Sequence, residues 1–250
     1  MRQIEIRIDD KKARCAPEET ILRVARRCGA RIPTLCSHEA LEPYGACRLC
    51  MVEVTVGGVT RLAAACTTTV REGMRVRTRT PRLRRLRQTL IGLLAARSPE
   101  APVVRRLVRE LGTTPMPAAE SPDLCINCGL CVRACRDIVG AAALCFAGKG
   151  RERRATVAFY RDSRECVGCG SCVFVCPTGA AVLHDEERGG DAVRVMDTWQ
   201  TRLAVRRCPD DGEPVAPERL REFAASRRPV VEGFLERCAA CRKSGPATKR

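Results

Sequence analysis

Aromatic side chains are nearly missing from this chain of 250 residues: one Trp, two Tyr and five Phe make up 3% of it. Eight rings leave little on which bases could stack, which argues against single-stranded nucleic acid as a ligand. Histidine is scarcer still, with only His38 and His184. The segment after Met1, RQIEIRIDDKKAR, is charged where a secretory leader would be apolar, so no signal peptide is read there. Long apolar runs are also lacking. LIGLLAA at 90–96 and VGAAALCFAG at 139–148 fall well short of the roughly 20 residues that a membrane-spanning helix needs. These absences predict a soluble, cytoplasmic chain without a transmembrane segment. They also place its thiols in a reducing compartment, as metal ligands rather than disulfides. No Gly-rich nucleotide loop, flavin fingerprint or Ser-His-Asp set is visible, so the chain is expected to have no substrate site of its own.

Cysteine is what the chain has in excess, with 18 residues. Eight of them fall in CINCGLCVRAC (125–135) and CVGCGSCVFVCP (166–177), which repeat one spacing twice. Each copy offers three cysteines two residues apart and a fourth three residues later, the run that holds cubane clusters in two-cluster ferredoxins. In that run the fourth cysteine ligates the other cluster. One [4Fe-4S] centre is therefore expected on Cys125, Cys128, Cys131 and Cys176, and the other on Cys166, Cys169, Cys172 and Cys135. Zinc knuckles are the competing reading of C-x2-C, but zinc takes two separated pairs rather than interleaved triplets.

Earlier in the chain, Ile4, Ile6 and Ile8 alternate with polar neighbours as in a half-buried strand. A turn at 9–12 leads to a second short strand. Thr20 introduces a helix through Ile21, Leu22, Val24 and Ala25 that ends at Gly29. Cys36 follows, and YGACRLCMVEV brings Cys47 and Cys50 to the start of an apolar strand at 51–56. Gly57-Gly58 turns the chain back toward Cys66, and GMRVRT supplies one more strand. This order predicts a β-grasp domain. Its four thiols, Cys36, Cys47, Cys50 and Cys66, are separated by ten, two and fifteen residues, gaps that suit a loop folded over a flat [2Fe-2S] rhomb.

The run PTLCSHEALEPYGACRLCMVEV, with the double cluster repeat behind it, resembles the amino-terminal part of the large iron-sulfur subunit of complex I. It also resembles the short diaphorase-type iron-sulfur subunits of NAD-linked hydrogenases and formate dehydrogenases. The resemblance covers roughly residues 1–190. It implies one [2Fe-2S] and two [4Fe-4S] centres in an electron-transfer subunit of a hetero-oligomer. The implied partners are a flavoprotein NAD(P)H-oxidoreductase subunit and a hydrogenase or formate dehydrogenase catalytic subunit.

Two departures stand out. Cys50 and Cys66 are about two residues further apart than the family leads one to expect, and Gly57-Gly58 is the natural place for a lengthened hairpin. Members of the family also commonly carry a cluster held by one His and three Cys just after an Arg- and Leu-rich helix. Leu83, Leu86, Leu90, Leu93 and Leu94 supply that helix here. Arg97 then stands where the histidine is expected, and no cysteine occurs between Cys66 and Cys125. Residues 98–121 read instead as a helix framed by Pro-rich linkers.

The short strands flanking the ferredoxin loops are expected at 156–160 and 180–184. In the tail, Cys238 and Cys241 form a C-x2-C, and Cys208 opens a knuckle-like CPxxG with Asp211 in place of the usual second cysteine. Carboxylate is an acceptable zinc ligand, so Cys208, Asp211, Cys238 and Cys241 read as a zinc or small iron-sulfur site, or as one that has lost its metal. Cys15, Cys28 and Cys145 have no ligand spacing and read as buried hydrophobes. His38 could bond near the [2Fe-2S] centre, or simply lie on a loop surface; His184 reads as structural.

The formal charge is +16. Three thiolate-bound clusters, each bringing about two negative charges, would leave about +10. A basic surface suits nucleic acid, anionic membrane or an acidic partner, but the arginines are spread along the chain, so nucleic acid is not expected. The whole reads as an α+β protein in four parts. Residues 1–80 form the β-grasp [2Fe-2S] domain and 81–120 the helical linker lacking the His/Cys3 cluster. Residues 121–188 form the two-cluster [4Fe-4S] ferredoxin domain and 189–250 a small carboxy-terminal metal-knuckle segment. A succinate dehydrogenase or fumarate reductase iron-sulfur subunit is a further reading, disfavoured because such subunits have a tighter first cysteine pair and usually a three-iron centre. A nucleic-acid-binding redox or iron sensor is the other.

Overall fold

The isoleucines of β1 (Ile4–Ile8) all turn inward, at 5%, 1% and 1% exposure, and β2 (Lys11–Cys15) returns antiparallel beside it. Asp9 starts the turn with φ +52 and accepts hydrogen bonds from the Thr78 amide and hydroxyl. Thr20 caps α1 (Ile21–Arg27), accepting from the Arg23 amide, and the helix buries Ile21, Leu22, Val24 and Ala25. Next come β3 (Met51–Val56), β4 (Val59–Ala64) and β5 (Arg75–Arg77). The sheet order is β2-β1-β5-β3-β4, with β1 and β5 parallel and every other pair antiparallel. Five strands, one parallel pair among them, and a helix packed into one apolar core with Val52, Val54, Met74 and Val76 make the β-grasp arrangement that the sequence predicts. The β3–β4 ladder is regular to its end, where Val56 faces Val59 across Gly57 (φ +57) and Gly58 (φ +82). Positive φ at both turn residues is the geometry that favours glycine there.

α2 (Pro81–Arg97) is capped by Thr80, and α3 (Pro102–Leu111) packs against it and stops at left-handed Gly112. Gln88 on α2 donates to the carbonyls of Leu111 and Gly112, satisfying the end of α3. α4 (Leu130–Arg133) runs into a π-helical turn, Ala134–Val139. The hairpin of β6 (Leu144–Ala147) and β7 (Arg154–Val157) follows, then α5 (Ser171–Phe174). The flanking strand expected at 156–160 begins earlier, at Arg154, and the one expected at 180–184 begins only at His184.

β8 (His184–Arg188), β9 (Asp191–Met196), β10 (Thr201–Arg207) and β11 (Pro214–Pro217) form an antiparallel sheet in the order β11-β10-β9-β8. The β8–β9 hairpin crosses the boundary expected at 188/189, because Gly189 and Gly190 are its turn. α6 (Glu218–Arg227) and α7 (Ala239–Ser244) are the last helices among the described residues.

This computed structural model describes residues 3–114, 116–118, 123–158, 163–227 and 233–244; Phe159 and Tyr160 of the expected strand lie outside them. The chain divides into two compact units, Met1–Leu130 with Pro177–Ala180, and Cys131–Cys176 with Ala181–Arg250. Among the described residues no helix is long and apolar enough to cross a membrane.

Candidate metal centres

In the first unit Cys36, Cys50 and Cys66 are buried at 2%, 1% and 2% exposure, with Cys47 half-buried beside them. The Cys47 amide donates to the Cys36 sulfur at 3.3 Å, and the Cys50 and Cys66 sulfurs lie 3.3 Å apart and share a proton. The hydrogen bond from the Cys36 thiol brings Cys47 down to about 6, and that from Cys66 brings Cys50 down to about 7. Cys36 and Cys66, which keep the shared protons, are pushed up. Amides also converge on the sulfurs: Ala46 on Cys36, Leu35 and Leu49 on Cys47, and Ala65 on Cys50. Buried sulfurs ringed by N–H donors are suited to thiolate, the form in which cysteine binds iron. The residues fit a [2Fe-2S] group.

The loop is braced from α2. Arg87, 6% exposed, donates to the carbonyls of Leu49, Thr78 and Met51 at 3.2, 2.9 and 2.7 Å, so one guanidinium holds the backbone on both sides of Cys50. Nothing in the sequence singled it out from the other arginines of that helix. His38 turns back on its own loop, its Nδ1 accepting from the Ala40 amide. Cys15 is a core residue whose thiol faces the Ile4 carbonyl, as a small buried hydrophobe would, and Cys145 is exposed. Arg97, at the place of the missing histidine, donates to the Cys125 carbonyl at 2.7 Å, and its own carbonyl accepts from the Asp123 amide at 3.0 Å. A side chain that cannot ligate metal thus anchors the approach to the first cubane motif.

In the second unit Cys135, Cys166, Cys169 and Cys172 line one cavity together with Val139, Leu144, Met196 and Trp199. The first of these comes from the π-helical turn and the other three from the next repeat. This is the interleaved set expected from the spacing. Burial pushes up the thiols of Cys135 and Cys166 and takes Cys172 to about 11. Amides of Ala143 and Leu144 are directed at Cys135, that of Gly168 at Cys166. The Trp199 indole N–H donates to Cys172 at 3.4 Å. Crowded, buried thiols gain by exchanging their protons for metal, so this set fits a cubane. Of the other cubane set, Cys125 and Cys128 belong to the first unit and Cys131 and Cys176 to the second.

The β8–β11 sheet supports this cavity. Arg194, paired with Asp185, donates to the Gly168 carbonyl at 3.1 Å, and Arg219 of α6 donates to the carbonyls of Ser163 and Cys166, both at 3.0 Å. Gly168 has φ +67, and a Cβ there would meet Leu203 Cδ1 at 2.6 Å and Pro217 Cγ at 2.9 Å. The Cys166–Cys172 loop therefore lies directly on the sheet. Sequence reading singled out these cysteines but neither Trp199 nor these two arginines. In the same unit Cys208, Asp211, Cys238 and Cys241 come together with their ligand atoms all within 4.8 Å of one another.

Residues 1–81 match the model of a 2Fe-2S iron-sulfur cluster binding domain, and residues 124–180 that of a 4Fe-4S dicluster domain. The chain is 33% identical over 204 residues to an NADH-quinone oxidoreductase subunit of Rhizobium meliloti, a match covering 71% of this chain and 24% of that one. It is 34% identical over 206 residues to the alpha subunit of the NADPH-Fe(3+) oxidoreductase of Geobacter sulfurreducens, covering 72% and 24%. With the HndD subunit of the NADP-reducing hydrogenase of Solidesulfovibrio fructosivorans it shares 30% over 217 residues, covering 74% and 37%. The chain thus spans about a quarter of the length of the first two. Among solved structures, a chain of an NAD+-reducing [NiFe]-hydrogenase in the H2-reduced state aligns with TM-score 0.54 and 28% identity, over 62% of this chain and 75% of that one. The chain is therefore a relative of subunits of NAD(P)-linked oxidoreductases and hydrogenases, built from a 2Fe-2S cluster binding domain followed by a 4Fe-4S dicluster domain.

Proposed function

We propose that this chain is the electron-transfer subunit of a hetero-oligomeric NAD(P)H-linked oxidoreductase. It would stand between a flavoprotein subunit that exchanges electrons with NAD(P)H and a catalytic subunit such as a hydrogenase or formate dehydrogenase. The observation that carries this is the cavity in which Cys135 of one repeat joins Cys166, Cys169 and Cys172 of the next. A ligand crossing from one repeat to the other ties two clusters to one short stretch of chain, which serves conduction better than substrate chemistry. The sets assigned are Cys36, Cys47, Cys50 and Cys66 for one [2Fe-2S], with Cys125, Cys128, Cys131, Cys176 and Cys135, Cys166, Cys169, Cys172 for two [4Fe-4S]. When bound, such clusters supply one-electron storage. The chain itself supplies thiolates, buries them, and directs N–H donors at their sulfurs. The relatives named above share a pyridine nucleotide and differ in what they couple to it, which supports a relay with interchangeable ends.

The test is purification of the tagged full chain from its own host without oxygen. The chain is expected to carry flavin-containing protein with it, and NADH or NADPH should bleach the cluster absorbance of that complex but not of the isolated chain. Reduction of NAD by the isolated chain with hydrogen or formate would overturn the reading. So would a chain that purifies with salt-dissociable nucleic acid and no flavoprotein.

A further inference from the structure

Two knuckles face each other at the end of the β8–β11 sheet. Cys208 closes β10; its amide donates to the Glu213 carbonyl at 2.8 Å, and its carbonyl accepts from the Gly212 amide at 2.9 Å, with Gly212 at φ +79. The tip of this tight turn is Asp211. Its Oδ1 accepts from the Glu213 amide at 3.1 Å, which orients Oδ2 toward the sulfurs of Cys238 and Cys241, 3.1 and 3.0 Å away. Opposite, the Cys241 amide donates to the Cys238 sulfur at 3.3 Å as the chain enters α7.

We infer that Cys208, Asp211, Cys238 and Cys241 hold one zinc ion as a redox-silent clasp, not a further iron-sulfur cluster. Size decides between the two. Around one zinc, with bonds of about 2.3 Å to sulfur and about 2.0–2.2 Å to oxygen, the edges of the ligand tetrahedron are about 3.5–3.8 Å. All four ligand atoms here lie within 4.8 Å of one another. A cubane gives each ligand its own iron, so its outer sulfurs stand much further apart than ligands of a single ion. Chemistry agrees. Three thiolates and a carboxylate close a four-coordinate shell with no open position, the mark of a structural zinc site. The hydrogen bonds that position the ligands come from the backbone of the two knuckles themselves, which is how a metal site fixes its ligands in place. Arg207 donates to the Gly212 carbonyl and Arg237 pairs with Asp210, so two side chains brace the first knuckle.

The clasp has a place in the unit. It joins the end of β10 to α7, while β10 carries Leu203, and α6 carries Arg219, which support the Cys166–Cys172 loop. The inference is independent of the electron-transfer reading, because it concerns an ion that carries no electrons.

The test uses the full chain, purified without oxygen from zinc-supplemented cells. One zinc per chain is expected, with X-ray absorption at the zinc edge giving three sulfurs and one oxygen. Asp211→Cys should keep the zinc and change its shell to four sulfurs. The double variant Cys238→Ser, Cys241→Ser should lose the zinc and expose the tail to protease, with iron content and the EPR signals of the reduced clusters unchanged. Zinc absent from the wild type, zinc in a shell poor in sulfur, or loss of iron rather than zinc in the double variant would each overturn the inference.

Discussion

Trp199 is the chain's only tryptophan, and it is buried at 4% exposure with its N–H directed at the Cys172 sulfur. A donor to a ligand sulfur favours the reduced, more negative cluster. Trp199→Phe keeps most of the apolar volume and removes the donor. If that hydrogen bond is worth about 1 kcal/mol, the midpoint potential of the Cys166, Cys169, Cys172 and Cys135 centre should fall by about 40 mV. An EPR-monitored redox titration reads the shift, and the [2Fe-2S] signal of the other unit serves as the internal reference. An unchanged potential would mean that the indole acts only by packing. The residue was hard to find in the sequence because it lies 27 positions from Cys172, and only the β9–β10 connection brings it back.

At the scale of elements, two residues decide how cysteine loops are held. Arg87 fastens α2 to the Leu49 and Met51 carbonyls on either side of Cys50, and to the Thr78 carbonyl just past β5. Arg87→Ala leaves these buried acceptors unpaired, at a cost of about 3 kcal/mol. The temperature at which the [2Fe-2S] absorbance is lost should drop by more than about 10 °C. Arg87→Lys, with one point of attachment in place of a planar fork, should recover only part of it. Gly168 makes the complementary case, since there the loop tolerates no side chain at all. Gly168→Ala places a Cβ 2.6 Å from Leu203 at a φ of +67, and should destabilise the second unit by about 1–3 kcal/mol. Faster iron release to a chelator from that unit, with the [2Fe-2S] centre unaffected, is the expected readout. The spacing of the leucines showed α2 as a helix and the double glycine showed the β3–β4 turn. Whether one arginine among many is buried depends on what lies across from it, which no local pattern carries.

For the whole molecule, the proposed ligand sets predict about ten irons per chain, as two plus four plus four, with zinc counted separately. Cys135→Ala should bring the count toward about six by removing the centre at Cys166, Cys169 and Cys172, and leave the set at Cys125 in place; loss of the Cys125 centre instead would reverse the assignment. If the proposed partner docks on this chain's basic surface, with a formal charge of +16 and about +10 once three clusters are bound, reduction through it should slow as salt is raised.

Cysteine spacing by itself determined which thiols are proposed as ligands, because a cluster demands thiols at intervals that a short loop can wrap, and chance seldom repeats such intervals. Alternation of apolar residues and turn glycines likewise determined the β-grasp sheet. Tertiary structure alone decided the rest. The four-stranded sheet of 184–217 was not legible as a domain, since β8 is largely exposed and its alternation is weak. Pairing across the Gly189-Gly190 turn makes it a strand, and puts Arg194, Leu203 and Arg219 under a cluster loop. The carboxy-terminal site shows the same division of labour. The sequence singled out four candidate ligands but left the metal open, and the inference of one ion rather than a cluster rests on the distances between ligand atoms, which depend on how two remote knuckles meet.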